Sequence, residues 1–209
     1  RPTTFVMNMM IGDIVEAVFK GLLTEAGINY EENETTAVEF DSGVTVSGTA
    51  DISINGAVDD IKSASDWSYK NKFESYDRLS NMDDFGYVAQ LAGYAKGLGK
   101  KAGGWWVINK ASGDFKYVPA TGLDVEEECT KINTSLETLE QNVFERCFEA
   151  ETEFFRSKPT GNKILTKTCS FCDYRKDCWP SLQKQPMIKS QAINPKMVDY
   201  VYIAEEEAA

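Results

Sequence analysis

The dipeptide Asn55-Gly56 is the feature that most constrains the fold, because it separates two stretches of alternating apolar residues. Ile52 and Ile54 precede it, and Val58 follows it. Asn-Gly is the strongest short-range signal for a two-residue hairpin loop, in which both positions need positive φ. The sequence therefore predicts an antiparallel hairpin in which Ile52 pairs with Asp59 and Asp51 with Asp60.

This register gathers charged side chains on one face of the hairpin. Asp51 and Asp60 oppose each other, and Lys62 projects from the same face two residues further on. Like charges at opposed positions are destabilising unless something positive lies between them. We expect a divalent cation, Mg²⁺ or Mn²⁺, between the carboxylates. The alternative is a solvent-exposed face whose charges only confer solubility.

The rest of the chain predicts an α/β (mixed α+β) core, a central mixed sheet flanked by helices. Apolar spacing predicts helices over residues 8–23, 83–98 and 125–155, with Cys129, Val143 and Cys147 in the stripe of the last. Alternation predicts strands between residues 37 and 62 and over 105–109 and 115–118. Residues 65–82 are expected to form a loop or a short helix. The predicted divisions are a core (1–160), a cysteine module (161–182) and a polar C-terminal tail (183–209).

Composition excludes several classes of protein. The apolar fraction of 42% rules out disorder, and no apolar stretch is long enough to span a membrane. The N-terminus also lacks the basic, apolar and small-residue order of a signal peptide. We expect a cytoplasmic protein with no membrane partner. The chain contains no histidine, which excludes imidazole bases, Ser-His and Cys-His nucleophiles, and zinc sites that use histidine. The net charge of −11 argues against a generally cationic surface for nucleic acid, although a local basic groove remains compatible with it.

Three of the five cysteines form a C-x2-C-x5-C group, Cys169, Cys172 and Cys178. Thiolates at this spacing hold Zn²⁺ or an iron-sulfur cluster, and both normally take four ligands. Disulfides are the alternative, disfavoured in a reducing compartment. We expect Cys129 and Cys147 to be buried apolar residues of the long helix.

Three segments together resemble the PD-(D/E)xK nuclease superfamily, in its RecB-like exonuclease branch. They are Gly48-Thr49-Ala50-Asp51, Val58-Asp59-Asp60-Ile61-Lys62-Ser63 and Gln90-Leu91-Ala92-Gly93-Tyr94. The cysteine group, ending in Cys178-Trp179-Pro180, resembles the C-terminal cluster-binding cysteines of iron-sulfur members of that branch. The match spans about residues 9 to 180, in the order of the family.

The resemblance implies a restriction-endonuclease-like core and a role for each matching residue. Asp51, Asp60 and the Ile61 carbonyl would bind the catalytic metal ion, and Lys62 would orient water or stabilise developing negative charge. Glu16 stands where many relatives have a histidine ligand, with Asp13 as a nearby rival. The pair Gln90 and Tyr94 would contact DNA and brace the active site. The cysteines would bind a [4Fe-4S] cluster, with Zn²⁺ as the alternative, and the fourth cysteine would lie upstream of Arg1.

Basic and aromatic residues alternate in the middle of the chain, where Lys70, Lys72 and Arg78 lie among Trp67, Tyr69 and other aromatic residues. Cations for phosphates and rings for bases suit a channel for single-stranded nucleic acid. The alternative is a solvated loop. We include Lys70, Lys72 and Arg78 with Gln90 and Tyr94 as candidate DNA-binding residues.

The expected function is a Mg²⁺- or Mn²⁺-dependent DNA exonuclease of a bacterium or phage, acting on DNA with a single-stranded end in recombination, repair or replication. Recombination or replication proteins are its expected partners, and the oligomeric state is left open. The sequence contains no P-loop motif, so no ATP-driven motor is expected in this chain. Two alternatives stay open: a cluster-stabilised DNA-binding or adaptor module without activity, and a structure-specific endonuclease.

Overall fold

The computed structural model describes residues 3–141 and 146–204. The chain forms two compact units, residues 1–142 and 143–209, which we describe separately. In the described residues, no helix is both long and apolar enough to cross a membrane.

The first unit contains a five-stranded mixed sheet, as the sequence predicts. Its strands follow one another in chain order: β1 (Glu31–Glu39), β2 (Thr45–Ile54), β3 (Ala57–Ala64), β4 (Lys101–Asn109) and β5 (Phe115–Pro119). All neighbouring strands are antiparallel except β3 and β4, which are parallel. A parallel pair needs a crossover connection. This crossover, between residues 64 and 101, contains three helices, and the last of them carries Gln90 and Tyr94.

Five helices flank this sheet: α1 (Thr3–Glu25), α2 (Asp66–Lys70), α3 (Tyr76–Asn81), α4 (Tyr87–Leu98) and α5 (Val125–Glu140). Serines cap the two short helices, since Ser65 and Ser75 each accept a backbone N–H of the first turn. Asp83 accepts the N–H groups of Tyr87 and Val88 at the start of α4. Residues 65–82, expected as a loop or short helix, thus contain two short helices.

The sheet has a hydrophobic core on each face. Leu91 of α4 packs with Val58, Trp105 and Val107 in one core. Phe19 and Leu23 of α1 pack with Ile52 and Ile61 in the other. The helices predicted over residues 8–23 and 83–98 are thus confirmed as α1 and α4. Much of the apolar surface of α1 is nevertheless exposed, including Met9, Met10, Ile11, Ile14, Val18 and Leu22.

The second unit contains a four-stranded antiparallel sheet. Its order is β6 (Glu151–Phe155), β7 (Lys158–Ile164), β9 (Met197–Tyr202), β8 (Gln183–Pro186). Two single-turn helices, α6 (Lys167–Ser170) and α7 (Arg175–Cys178), lie between β7 and β8 in sequence. The Glu153 carboxylate is buried in this unit, where it accepts hydrogen bonds from Tyr200, Thr160 and Asn162.

The predicted helix over residues 125–155 is wrong in its C-terminal part. Helix α5 ends at Glu140, and residues 151–155 form a strand instead. The reason is a hairpin loop at Arg156 and Ser157, whose φ angles are 49° and 64°. These residues lack the Asn-Gly signature, so the sequence gives no short-range signal for this hairpin. Val143, which the predicted stripe includes, lies outside the described residues.

The structural division also differs from the predicted one. The second sheet begins at residue 151, before the predicted boundary at 160, and strands β8 and β9 lie within the expected tail, residues 183–209. Pairing of β7 with β9 joins the segments before and after the cysteine module into one sheet.

Candidate active site

The β2–β3 hairpin has the predicted register from the turn as far as Ile52 and Asp59, and the described ladder ends there without the predicted pairing of Asp51 with Asp60. Ile52 pairs with Asp59, Ser53 with Val58 and Ile54 with Ala57. The loop residues Asn55 and Gly56 have φ angles of 51° and 76°, so both occupy the left-handed region that this type of turn requires. The turn therefore fixes which carboxylates meet.

Asp51 lies at a local irregularity of β2. Ala50 packs in the core beneath α4 and Ile52 in the core beneath α1, although residues two apart in a strand normally share a face. Opposite this point, Asn33 of β1 has a φ of 55°, and no β1 residue pairs with Asp51 in the described ladder. The Asp51 Oδ2 atom accepts the Ile61 N–H at 2.8 Å. Burial raises the pKa of Asp51, and the charge of Glu16 adds to this, against the lowering effect of that hydrogen bond.

Asp60 is the most deeply buried carboxylate of the site, with 1% of its surface exposed. The Lys62 Nζ atom donates a hydrogen bond to Oδ1 at 2.8 Å. It also lies 2.7 Å from Oδ2, but that oxygen has no partner in hydrogen-bond geometry. Burial raises the pKa of Asp60 to about 7, with a further contribution from Asp51 and an opposing one from Lys62.

Lys62 connects the carboxylates to helix α4. Its ammonium lies 3.2 Å from the Gln90 Oε1 atom, to which it donates, and 5.0 Å from the centre of the Tyr87 ring. The Gln90 amide in turn donates to the Tyr94 hydroxyl at 3.0 Å. Burial lowers the pKa of Lys62, but the charges of Asp60 and Asp51 outweigh it and the net pKa is raised. Lys62 is therefore an ammonium group at neutral pH.

The chain between Gly48 and Asp51 approaches α4 closely. A Cβ atom at Gly48 would lie 2.6 Å from Cε1 of Tyr94, a separation that real Cβ contacts do not show. A side chain at this position would displace the tyrosine ring. The structure thus gives Gly48 a specific role, since it allows Tyr94 to reach the sheet and hold Gln90.

Glu16 lies on α1, where its carboxylate forms an ion pair with Lys20. Its charge also acts on Asp51 of the hairpin. The Lys20 Nζ atom lies 2.7 Å from Glu16 and 3.4 Å from Glu32, and Lys20 is 8% exposed. Both Glu16 and Lys20 are close enough for their charges to act on Asp51. The rival position, Asp13, is exposed one turn away on the same helix.

The two hairpin carboxylates fit a divalent cation in their chemistry. Carboxylate and backbone carbonyl oxygens are the ligands that Mg²⁺ and Mn²⁺ prefer, and the charge of Asp51 acts on the buried Asp60 carboxylate. Over residues 3–141 and 146–204, no three histidine, cysteine, aspartate or glutamate side chains are arranged to hold one ion. Asp51 and Asp60 are thus the core of a candidate site that Glu16 or the Ile61 carbonyl would complete.

A cleft of about 370 Å³ lies beside Gln90 and Tyr94. Its walls come from β1, β2, α4 and α5, and they are mainly apolar; they include Val38, Phe40 and Val46. Apolar clefts with a few polar groups at one end are typical of binding sites. The polar end here is the Gln90–Tyr94 pair.

The predicted DNA-binding lysines and arginine have different environments. Lys70 and Arg78 are exposed on α2 and α3 and form ion pairs within their own segments. Lys72 is 7% exposed, and its ammonium lies 4.5 Å from the centre of the Tyr87 ring and 3.9 Å from Asp83. A nucleic-acid strand that bound to this surface would therefore contact the exposed Lys70 and Arg78 before it reached the buried Lys72.

The predicted cluster cysteines lie together in the second unit. Cys169, Cys172 and Cys178 are half-buried thiols on and between α6 and α7. Cys129 is buried on α5, as expected. The expectation for Cys147 is wrong, because it is exposed and lies outside any helix.

Sequence reasoning missed two residues that shape the site. The sequence around Lys20 is that of an ordinary helix lysine, and its contacts with Glu32 and Asn33 of β1 form only in the tertiary fold. The sequence predicts only that Tyr87 lies near the start of a helix. In the structure its ring contacts the ammonium groups of both Lys62 and Lys72. The position of Tyr87 one turn before Gln90 is the only signal in the sequence that points to it.

Comparison with known proteins finds one structural neighbour to report and no matching family or curated protein. No protein-family model matches the sequence, and neither does any curated protein. A solved structure titled "Crystal structure of SSO0001" matches with a TM-score of 0.45 and 18% identity, over 68% of this chain. The match spans 63% of that protein's length. Similarity at this level carries no argument about function.

Proposed function

We propose that the first unit is a divalent-metal-dependent deoxyribonuclease of the PD-(D/E)xK, RecB-like type, with a restriction-endonuclease-like core and an exonuclease activity. The observation that carries the proposal is the contact network of Asp60, Lys62, Gln90 and Tyr94, with Asp51 beside it. These residues come from three separate sequence segments. Recombination, repair or replication of bacterial or phage DNA is the process we propose for it.

The buried carboxylates favour this chemistry over a purely structural role. Asp60 is almost fully buried beside a second carboxylate, Asp51, with Lys62 as its ion-pair partner, an arrangement that is costly for folding alone. A Mg²⁺ or Mn²⁺ ion held by Asp51 and Asp60 would supply Lewis-acid activation of water and neutralise phosphate charge. Glu16 and the Ile61 carbonyl are the additional oxygen ligands we propose.

Hydrolysis of a phosphodiester consumes one water: its oxygen bonds to phosphorus, the bond to the leaving sugar oxygen breaks, and in the net reaction one of the water's protons ends on that sugar oxygen. The contacts of Lys62 with Asp60 and Asp51 raise its pKa and so favour its ammonium form. We assign it the stabilisation of negative charge that develops on the phosphate oxygens. Gln90 holds the ammonium group in place, and Tyr94 holds Gln90. The Ile61 N–H fixes Asp51 by the hydrogen bond to Oδ2.

The test is degradation of end-labelled linear and circular DNA with Mg²⁺ or Mn²⁺. The Lys62→Ala variant is expected to lose about 10²- to 10³-fold in rate, as for other single electrostatic stabilisers, while DNA binding persists. Lys131→Ala, which removes an exposed lysine ion-paired on α5, is the matched control with unchanged rate.

The pattern of products separates the possible outcomes. An exonuclease digests linear DNA from an end and leaves circles intact, whereas cleavage of circles indicates the endonuclease alternative. DNA binding without degradation by the unmodified protein would instead support the adaptor module. Wild-type rates in Lys62→Ala would contradict the proposed role of the lysine.

A further inference from the structure

Three aromatic rings are stacked beside Lys62 in the first unit. The centre of the Tyr87 ring lies 5.9 Å from that of Phe73 and 6.0 Å from that of Phe85, with interplanar angles of 23° and 29°. These values are those of offset stacking. Phe73 is buried, whereas 53% of the Phe85 surface is exposed. The stack therefore runs from the core to the surface and ends in an exposed ring.

A buried lysine holds the exposed ring in place. The Lys72 ammonium lies 5.4 Å from the centre of the Phe85 ring and 4.5 Å from that of Tyr87, and only 7% of this lysine is exposed. An ammonium over an aromatic ring is attracted to it, more strongly where water is excluded. These contacts order the Phe85 ring before any ligand binds, which lowers the entropic cost of binding.

The stack also reaches the hairpin carboxylates, through Lys62. The Lys62 ammonium lies 5.0 Å from the centre of the Tyr87 ring and donates to Asp60 at 2.8 Å. Phosphate contacts position a nucleic-acid strand, and aromatic faces take its bases. A phosphate held at Lys62 would therefore bring a neighbouring base of the same strand to Phe85.

We infer that Phe85 is a stacking platform for an unpaired base of the DNA strand, close to the phosphate at Lys62. This inference rests on the proposed nuclease function and names the form of its substrate. Every base has a π face, so an aromatic platform accepts an unpaired base whatever its identity. Inside a duplex, neighbouring base pairs cover both faces of a base, so the platform requires a single-stranded segment.

The test measures binding of a single-stranded oligonucleotide to the full chain by fluorescence anisotropy, with a chelator present so that the strand is not cut. Phe85→Ala is expected to weaken binding about 5- to 150-fold, the range for loss of one base–aromatic stack. Phe85→Trp is expected to restore the affinity, because it keeps an aromatic face. Phe154→Ala is the matched control with unchanged affinity, since Phe154 is a similarly exposed phenylalanine of the second unit.

A second measurement reports the stacking itself. The fluorescence of 2-aminopurine is quenched when this base stacks on an aromatic ring. With 2-aminopurine at successive positions of the strand, the wild type and Phe85→Trp are expected to quench one position that Phe85→Ala leaves bright. An abasic residue at that position is expected to weaken binding by the wild type and to leave binding by Phe85→Ala unchanged.

Duplex DNA separates base stacking from a general loss of affinity. Relaxed circular duplex has no unpaired base, and its affinity, measured by competition, is expected to be the same for the wild type and Phe85→Ala. Equal losses on single strand and duplex, unchanged binding of the single strand by Phe85→Ala, or a wild type that binds no single strand would overturn the platform. Failure of the platform alone leaves DNA degradation by the wild type intact, whereas a wild type that degrades no DNA contradicts the proposed function.

Discussion

Gly48 and Tyr94 lie so close that the tyrosine ring occupies the space in which a β-carbon of residue 48 would stand. Gly48→Ala would place that carbon 2.6 Å from Cε1 of Tyr94. We expect the ring to shift and the hydrogen bond to Gln90 to break, with a loss of about 1–3 kcal/mol of stability from overpacking. If the proposed nuclease function holds, the rate of DNA degradation should also fall on the order of tenfold or more.

The measurement for Gly48→Ala is the initial rate of DNA degradation, together with the free energy of unfolding from urea titration. Gly21→Ala is the matched control: it lies on an exposed face of α1, and a Cβ atom there would meet nothing within 4 Å. Alanine at this helical position is expected to add about 1 kcal/mol to stability with no change in rate. Full activity in Gly48→Ala would contradict the role of the close approach.

Metal binding at Asp60 is expected to depend on pH. Because the pKa of Asp60 is about 7 in the folded chain, the ion must displace a proton at lower pH. The apparent affinity for Mn²⁺ is therefore expected to fall as pH drops through 7. Binding should release more protons at pH 6 than at pH 8, because Asp60 is protonated in a larger fraction of the molecules at the lower pH.

Calorimetric titrations in buffers of different ionisation enthalpy measure this proton release. Asp60→Asn is expected to bind Mn²⁺ weakly and without the pH-dependent release. The same release at pH 6 and pH 8 would show that Asp60 is not the titrating ligand.

The buried Glu153 is expected to stabilise the second unit in a pH-dependent way. Burial raises the pKa of Glu153, but hydrogen bonds from Tyr200, Thr160 and Asn162 outweigh it and the net pKa is lowered. A depressed pKa contributes stability that is present above the unfolded value of 4.5 and is lost as pH falls through the lower folded value. Glu153→Gln places an amide where acceptors are needed, and we expect a loss of about 2 kcal/mol.

Hydrogen–deuterium exchange of peptides from β6 and β7 reports this change locally. Faster exchange is expected in Glu153→Gln at pH 7, and the difference from wild type should shrink below pH 4.5. Glu151→Gln, an exposed acid on the same strand, is the control. Equal protection in Glu153→Gln and wild type would contradict the stabilising role.

If the proposed nuclease binds a strand along α2 and α3, Lys70 and Arg78 contribute to affinity through phosphate contacts. Replacing either by alanine is then expected to weaken binding uniformly across sequences and to reduce the slope of log affinity against log salt by about 1. Fluorescence anisotropy at several salt concentrations measures this slope. An unchanged slope in Lys70→Ala/Arg78→Ala would place the strand elsewhere.

The centre of the fold and of the candidate site could be predicted because their signals are local. Asn55-Gly56 and the alternation around it determine the hairpin register, and helical spacing puts Gln90 and Tyr94 on one face of α4. The burial of Lys20 could not be predicted, since its contacts with Glu32 and Asn33 of β1 form only in the folded chain. The β6–β7 hairpin was missed because Arg156 and Ser157 adopt positive φ without a residue type that favours it. The misplacement of Cys147 follows from that missed hairpin.

The pairing of the partly buried Lys62 with the buried Asp60 has an evolutionary consequence. Removing one partner of a buried ion pair leaves an uncompensated charge and destabilises a protein by about 3–5 kcal/mol, whereas replacing both by apolar residues of similar volume is often neutral or stabilising. A lineage that no longer needed the site would have to cross a destabilised intermediate to lose it. Drift by single substitutions is therefore slow to erase this pair, even where selection for its chemistry has ended.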